Sequence, residues 1–288
     1  MDETPVTHRE RSLPQRVAIR LFYPTFRPSE KALRAAVADK TVLVTGASHG
    51  IGKASARKLA AAGAVVLLVA RSGPELEQLA ADITGDGGTA RAYPTDLADA
   101  AAVDRLGRTL LAEYGHIDMV ISNAGKSIRR PNAESYDRFH DFTRTIDINY
   151  LGPVRLLLTL LPQMCARKQG HIVNVSTWGV LMPPSPRWSA YGASKTAFDV
   201  WLRSIAAEIA GDHVTTTSVY MPLVHTRMSA PTDFRHIAAL TVEEAADLIA
   251  YAVTAKPRAV APWWAVRVQA WSAVHRDRVQ RFLERRNR

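Results

Sequence analysis

Thr45-Gly46-Ala47-Ser48-His49-Gly50-Ile51-Gly52 follows the β-branched run Thr41–Thr45 and leads straight into a helical pattern over residues 53–62. Glycines belong where a chain turns tightly off a strand and where backbone N–H groups must approach a phosphate without a Cβ in the way. The helix that follows adds the partial positive charge of its N-terminus. A glycine triplet alone arises by chance in loops, so the strand before it and the helix after it carry the reading. Gly46, Ser48, His49, Gly50, Ile51 and Gly52 are therefore read as a cradle for a dinucleotide pyrophosphate.

Working outward, short apolar or β-branched runs at Thr41–Thr45, 65–69, 90–93, Met119–Ser122, 171–175 and 215–220 alternate with stretches of helical period. That alternation is a series of βαβ units, which build a parallel sheet because each crossover must return over it. The fold class expected is α/β, a Rossmann-type doubly wound parallel sheet with helices on both faces. There is no internal repeat and no Pro/Gly-rich break, so residues 41–257 read as a single domain flanked by extensions at 1–40 and 258–288. The run 151–166 is apolar nearly all round, with Arg155 its only charge before Arg167, and is expected to be a helix buried in the core or against a subunit.

The end of the second strand selects the nucleotide. An acidic residue there would bond the adenosine ribose and disfavour a 2′-phosphate. The chain reads Val69-Ala70-Arg71-Ser72, with Ala70 in the acidic place and Arg71 able to pair with a phosphate through its guanidinium fork. NADP(H) is expected over NAD(H). His49 would assist when protonated, and an ordinary surface histidine is the competing reading.

Tyr191-Gly192-Ala193-Ser194-Lys195 opens a helical run over 196–210, which sets Tyr191 and Lys195 on one helical face. A free phenol has a pKa of about 10, and a nearby ammonium favours the phenolate. The pair is expected to lower the pKa of Tyr191. Alone it would usually mark a solvated helix face; in register with the glycine turn it points to proton transfer.

With these residues in place the chain resembles the short-chain dehydrogenase/reductase family over roughly residues 40–257. Other positions match: Asp96-Leu97 resembles the acidic-apolar pair near adenine, Asn123-Ala124-Gly125 the motif ending the fourth strand, and Asn149 the asparagine of the proton relay. The resemblance implies Tyr191 as acid/base, Lys195 on the nicotinamide ribose, and Asn149 holding a water that links Lys195 to solvent. It also implies a hydroxyl that polarises the substrate carbonyl. Here Ser176-Thr177-Trp178-Gly179 departs from the usual two serines. Strand register points to Thr177 and the gap to Gly179 points to Ser176; both stand, with the balance towards Ser176. Met221-Pro222-Leu223-Val224-His225-Thr226 replaces the usual Pro-Gly of the nicotinamide loop, while Val224 and Thr226 still match.

Between Thr177 and Tyr191 lie Trp178, Val180, Leu181, Met182, Pro183, Pro184, Pro186 and Trp188. Such loops line the substrate side of the cleft in the family, and so apolar a wall suggests a lipophilic substrate, with ordinary lid packing of equal weight. In detail the chain resembles an actinobacterial branch related to fatty acyl-CoA reductases, which implies a long-chain acyl thioester, fatty aldehyde or keto-lipid. The family resemblance also implies a homo-oligomer.

The 288 residues carry one cysteine, Cys165, which excludes an internal disulfide and any cysteine-based metal cluster; no metal is expected, and a reducing cytoplasmic setting is the simpler reading. No stretch reaches the roughly 18 uncharged apolar residues of a membrane span, and Asp2, Glu3, Arg9 and Arg11 leave no apolar block for an export signal. The net charge of +10 sits at the ends: residues 1–40 hold eight Lys/Arg against five Asp/Glu, residues 41–257 hold 21 against 20, and residues 258–288 hold eight against two. Residues 262–288 mix Trp263, Trp264 and Trp271 with arginines, as a basic amphipathic helix would. Packing on its own domain or on a subunit is the first expectation there, and peripheral contact with an anionic membrane the second. The apolar run 17–26 would join either arrangement. Nucleic acid is not expected, since no binding motif appears and the basic residues track no groove. A non-catalytic NADP-binding sensor on the same fold is the competing function. Intact Asn149, Tyr191 and Lys195 speak against it.

Overall fold

The computed structural model describes residues 12–286 except 231, 233, 235 and 236. The early charges from Asp2 to Arg11 therefore lie outside the described residues. In chain order the elements are α1 (Leu13–Phe22), α2 (Glu30–Val37), β1 (Thr41–Thr45), α3 (Gly50–Ala61), β2 (Val65–Ala70), α4 (Gly73–Gly85), β3 (Thr89–Pro94), α5 (Ala100–Tyr114) and β4 (Met119–Ser122). Then come α6 (Phe139–Ile146), α7 (Gly152–Ala166), β5 (Gly170–Thr177), α8 (Ser189–Glu208), β6 (Val214–Met221), α9 (Val242–Ala255), β7 (Ala259–Val260), α10 (Trp263–Val274) and α11 (Arg276–Arg286). All six strands expected from the sequence are present; the two-residue β7 is too short to leave a pattern of its own.

The strands form one parallel sheet in the order β3-β2-β1-β4-β5-β6-β7. Its central strands read as continuous Val/Leu runs because both faces are covered. Alternate side chains go to opposite layers. Val42, Val44, Val66 and Leu68 pack under α2, α3, α4 and α9. Leu43, Leu67 and Val69 pack under α5, α7 and α8. Asp99 caps α5 by accepting the Ala102 N–H at 3.0 Å, and Thr241 with Glu244 forms a reciprocal capping box on α9.

After β1 the chain builds outward through β2 and β3, then returns to place β4 on the other side of β1. At that reversal the loops leaving the carboxyl ends of β1 and β4 diverge and open a crevice, which is where ligands bind in such sheets.

Two expectations need correction. The helix expected to be buried, α7, covers the sheet with Leu156, Leu157, Leu160 and Met164 but leaves Leu151 and Leu158 exposed. A helix lying on a sheet hides only the stripe that faces it. The C-terminal segment is two helices broken at His275 instead of one amphipathic helix. The first, α10, is apolar around its whole circumference apart from Arg267 and polar Gln269 and Ser272, while the charge is gathered on α11. Among the described residues no helix is long and apolar enough to cross a membrane.

Candidate active site

The glycine turn is fastened to the end of β4. Thr45 Oγ1 accepts the N–H groups of Asn123 and Ala124, each at 3.0 Å, and the Asn123 amide donates to the Thr45 and Gly46 carbonyls at 3.0 and 3.2 Å. Asn123 is thus a clamp on the turn. Gly46 has φ +66°, in the left-handed region that favours glycine, and a Cβ on Gly52 would stand 2.2 Å from the Gly46 carbonyl oxygen. The result is bare backbone at the amino end of α3, which suits a pyrophosphate. His49 precedes α3, with Nδ1 3.0 Å from Ser48 Oγ and Nε2 accepting from the Arg227 guanidinium at 3.4 Å. Arg227 lies 178 residues away in the chain, so no local pattern could have announced it.

The other residues expected to meet the nucleotide follow the carboxyl ends of the strands or lie in the loop after β6. Arg71 is exposed directly beyond β2. Asp96 accepts the Ala98 N–H at 3.0 Å and Leu97 is buried beneath it, both just past β3. Gly125 follows Asn123-Ala124 past β4. Val224 pairs with Leu240 in an isolated parallel bridge, and the Thr226 N–H is held by Ser229 at 3.0 Å. The bare backbone of the glycine turn and the Lys195 ammonium fit a nicotinamide dinucleotide.

Tyr191 and Lys195 sit one turn apart at the start of α8. The Lys195 ammonium donates to the Val175 carbonyl at 3.0 Å and is buried, which lowers its pKa to about 8. Burial pushes the Tyr191 phenol the other way, up to about 12, against a smaller lowering from its hydrogen bond with Thr177. The expectation that Lys195 lowers the Tyr191 pKa is thus corrected: desolvation governs the phenol, and the ammonium is engaged with the end of β5. The helix is locked in place by Asp199, buried one turn further on, which accepts from Ser218 at 3.0 Å, Tyr220 at 3.2 Å and Arg203 at 3.0 Å.

Asn149 lies in a π-helical turn, Asp147–Leu151, between α6 and α7. Such insertions re-aim side chains and gather at functional sites. Its Oδ1 accepts the Lys126 N–H at 2.8 Å, and its Nδ2 donates to the Lys126 carbonyl at 2.9 Å and to Ser194 Oγ at 2.8 Å. Ser194 in turn donates to the Tyr191 carbonyl at 2.9 Å. Asn149 therefore ties the loop after β4 to the first turn of α8. The sequence reading missed Ser194 and Lys126, although Ser194 stands inside the quoted motif.

Geometry distinguishes the two candidate hydroxyls. Thr177 ends β5 beside the Tyr191 phenol, with its Oγ1 also accepting the Gly179 N–H at 3.2 Å. Ser176 Oγ is instead buried and has no hydrogen-bond partner within the protein. The geometry thus favours Thr177 over Ser176 as the hydroxyl beside the phenol, since the strand continues through position 177.

Ile51, Asn123, Thr177, Tyr191, Lys195 and Thr226 open onto one cavity of 1160 Å³. Of the loop after β5, Trp178, Val180, Met182, Pro184 and Trp188 line it, while Leu181 is buried beneath. Tyr23, from the N-terminal extension, also reaches the wall, which the sequence did not reveal. Among the described residues no group of His, Cys, Asp or Glu is placed to hold a metal ion.

Comparison with known proteins agrees with this geometry. The short chain dehydrogenase family profile matches residues 40–235. A fatty acyl-CoA reductase of Acinetobacter baylyi is 49% identical over 233 residues, covering 81% of this chain and 79% of that protein. A fatty acyl-CoA reductase of Mycobacterium tuberculosis is 45% identical over 249 residues, covering 86% and 85%. The crystal structure of a metagenomic short-chain oxidoreductase in complex with NADP superposes with a TM-score of 0.66 at 30% identity, covering 76% of this chain and 92% of that one. The chain belongs to the short-chain dehydrogenase/reductase family of oxidoreductases, in its fatty acyl-CoA reductase-like branch.

Proposed function

We propose that this protein is an NADP(H)-dependent reductase of a fatty acyl, fatty aldehyde or keto-lipid carbonyl, with Tyr191 as the proton donor. One observation carries the reading: a half-buried phenol, hydrogen-bonded to Thr177 and one turn from a buried ammonium, opens onto a large cavity walled by Trp178, Met182 and Trp188. The names of the two reductase relatives favour the substrate class. Ala70 and Arg71 at the end of β2 favour the 2′-phosphorylated nucleotide.

The nicotinamide, when bound, supplies the hydride to the carbonyl carbon. The Tyr191 phenol, neutral at pH 7 because burial holds its pKa near 12, donates its proton to the carbonyl oxygen as negative charge develops there. Thr177 shares that oxygen through its hydroxyl and stabilises the growing charge. Lys195 keeps a positive charge one turn from Tyr191 and would offer its remaining hydrogens to the ribose of a bound nucleotide. Asn149 and Ser194 hold the first turn of α8, so that Tyr191 keeps its aim. The apolar loop excludes water and accepts the acyl chain. We read the assembly as a cytoplasmic homo-oligomer, supported by exposed Leu151 just before α7, Leu158 on α7 and Val200 on α8.

The test is turnover of long-chain aldehydes and acyl-CoAs with NADPH and with NADH. Tyr191→Phe is expected to cut kcat by about 10²- to 10⁴-fold while leaving NADPH affinity within a few-fold. Turnover that survives Tyr191→Phe would remove the tyrosine from the chemistry. NADPH binding without turnover on every carbonyl would favour a sensor.

A further inference from the structure

The two terminal extensions are knit together beside the cavity. Trp263 Nε1 donates to the Leu21 carbonyl and Trp264 Nε1 to the Phe22 carbonyl, each at 2.9 Å, so α10 grips the end of α1. Tyr23, the next residue, donates to the Ala238 carbonyl at 2.7 Å and lines the cavity. Trp264 also rests edge-on against the substrate-loop Trp178, with ring centroids 5.2 Å apart.

Their outward faces are apolar. On α1, Leu13, Val17 and Leu21 recur at one-turn intervals and are exposed, Leu13 by 74%, while the helix buries only Ile19. On α10, Trp263, Trp271 and Val274 share a face and are exposed by 52%, 54% and 77%. The Trp263–Leu21 bond joins the two faces into one patch, larger than scattered surface hydrophobics would make.

Arginines frame it. Arg16 and Arg20 flank the α1 stripe, Arg267 lies over the Trp263 ring at 4.8 Å, and α11 brings Arg276, Arg278, Arg281 and Arg285. Tryptophan rings with arginines beside them suit the boundary between headgroup and acyl chain, and an aqueous protein partner would not call for so one-sided a charge.

We propose that the joint α1–α10 face, with the arginines of α11, docks this protein on an anionic lipid bilayer and sets the cavity mouth at its surface. Delivery of substrate from the bilayer rests on the proposed lipophilic substrate; the docking does not.

Sedimentation of the full chain with vesicles of phosphatidylglycerol and phosphatidylcholine, against pure phosphatidylcholine, tests it. Binding is expected on the anionic vesicles at low salt, weakened by raised salt, with a blue shift of tryptophan emission. Val17→Glu with Trp271→Glu is expected to cut binding at least tenfold while the melting temperature and turnover of a short soluble aldehyde stay unchanged. Absence of binding to anionic vesicles at low salt, or binding indifferent to the double substitution, overturns the proposal. So does a vesicle-independent self-association that the double substitution dissolves, since the patch would then be covered by a second copy. None of these results touches the reductase reading, whose own failure is loss of NADPH binding or turnover.

Discussion

Burial acts on Tyr191 and Lys195 in opposite electrical senses and leaves both in their proton-bearing forms at neutral pH. Desolvation disfavours charge, so the phenol rises to about 12 and the ammonium falls to about 8. A neutral phenol is a proton donor in waiting, as carbonyl reduction requires. The lysine then sets the upper limit: as pH rises through about 8 it loses its charge, and the developing phenolate loses a nearby cation. The expected profile of kcat/KM for reduction is level below pH 8 and declines above it, measured with saturating NADPH. A decline centred near 10.5, the ordinary value of a lysine, would mean that burial does not depress the Lys195 pKa. The identity of these residues was legible because helical spacing fixes which side chains share a face. Their electrostatics were not, since a sequence shows that Lys195 is near Tyr191 but not that its ammonium is bonded to Val175. Thr177 and Ser176 illustrate the same limit: a one-residue difference in where β5 ends exchanges the hydroxyl bonded to the phenol with one that is buried without a partner.

The strands were legible almost to the residue, because a fully covered parallel strand must be a continuous apolar run between turn signals. β5 is the instructive one, since it carries buried His171 at its start and Thr177 at its end. His171 is fully buried, with Nδ1 2.8 Å from Thr215 Oγ1 and Nε2 3.2 Å from the Ala252 carbonyl, and spans from β6 to α9. Burial, with a smaller push from Lys256, lowers its pKa from 6.5 to about 4. The folded state therefore binds fewer protons than the unfolded chain between those values. Stability from this group is complete above pH 6.5 and falls as pH drops towards 4, by about 3 kcal/mol at the end of the window. Thermal melts between pH 7 and 4 are expected to show a steeper loss for the wild type than for His171→Gln, which is less stable at pH 7 but lacks the titration. Parallel slopes would mean that His171 is not held neutral. The π-helical turn around Asn149 gave no comparable signal, because one inserted residue in a helix leaves hydrophobic periodicity almost unchanged.

At the scale of the whole molecule, the N-terminal extension adds Tyr23 to the cavity wall and the C-terminal one backs the wall residue Trp178 with Trp264. Composition marked both ends as basic and aromatic, but their meeting depends on indole N–H groups reaching backbone carbonyls 242 residues earlier in the chain, a contact no window of sequence contains. Trp264 serves two purposes that substitution can separate. Its N–H holds α1 through Phe22, and its ring supports Trp178 on the substrate loop. Trp264→Phe keeps a ring and removes the N–H; Trp264→Ala removes both. Hydrogen exchange over residues 13–22 is expected to quicken in both variants, because in each the helix loses an anchor. The KM for a long-chain aldehyde should rise several-fold only in Trp264→Ala, where Trp178 loses its support, while a short aldehyde that never reaches this wall is turned over as before. If the two variants raised the long-chain KM equally, the anchoring of α1, and with it the placement of Tyr23, would be what shapes the cavity, and the ring contact would be incidental.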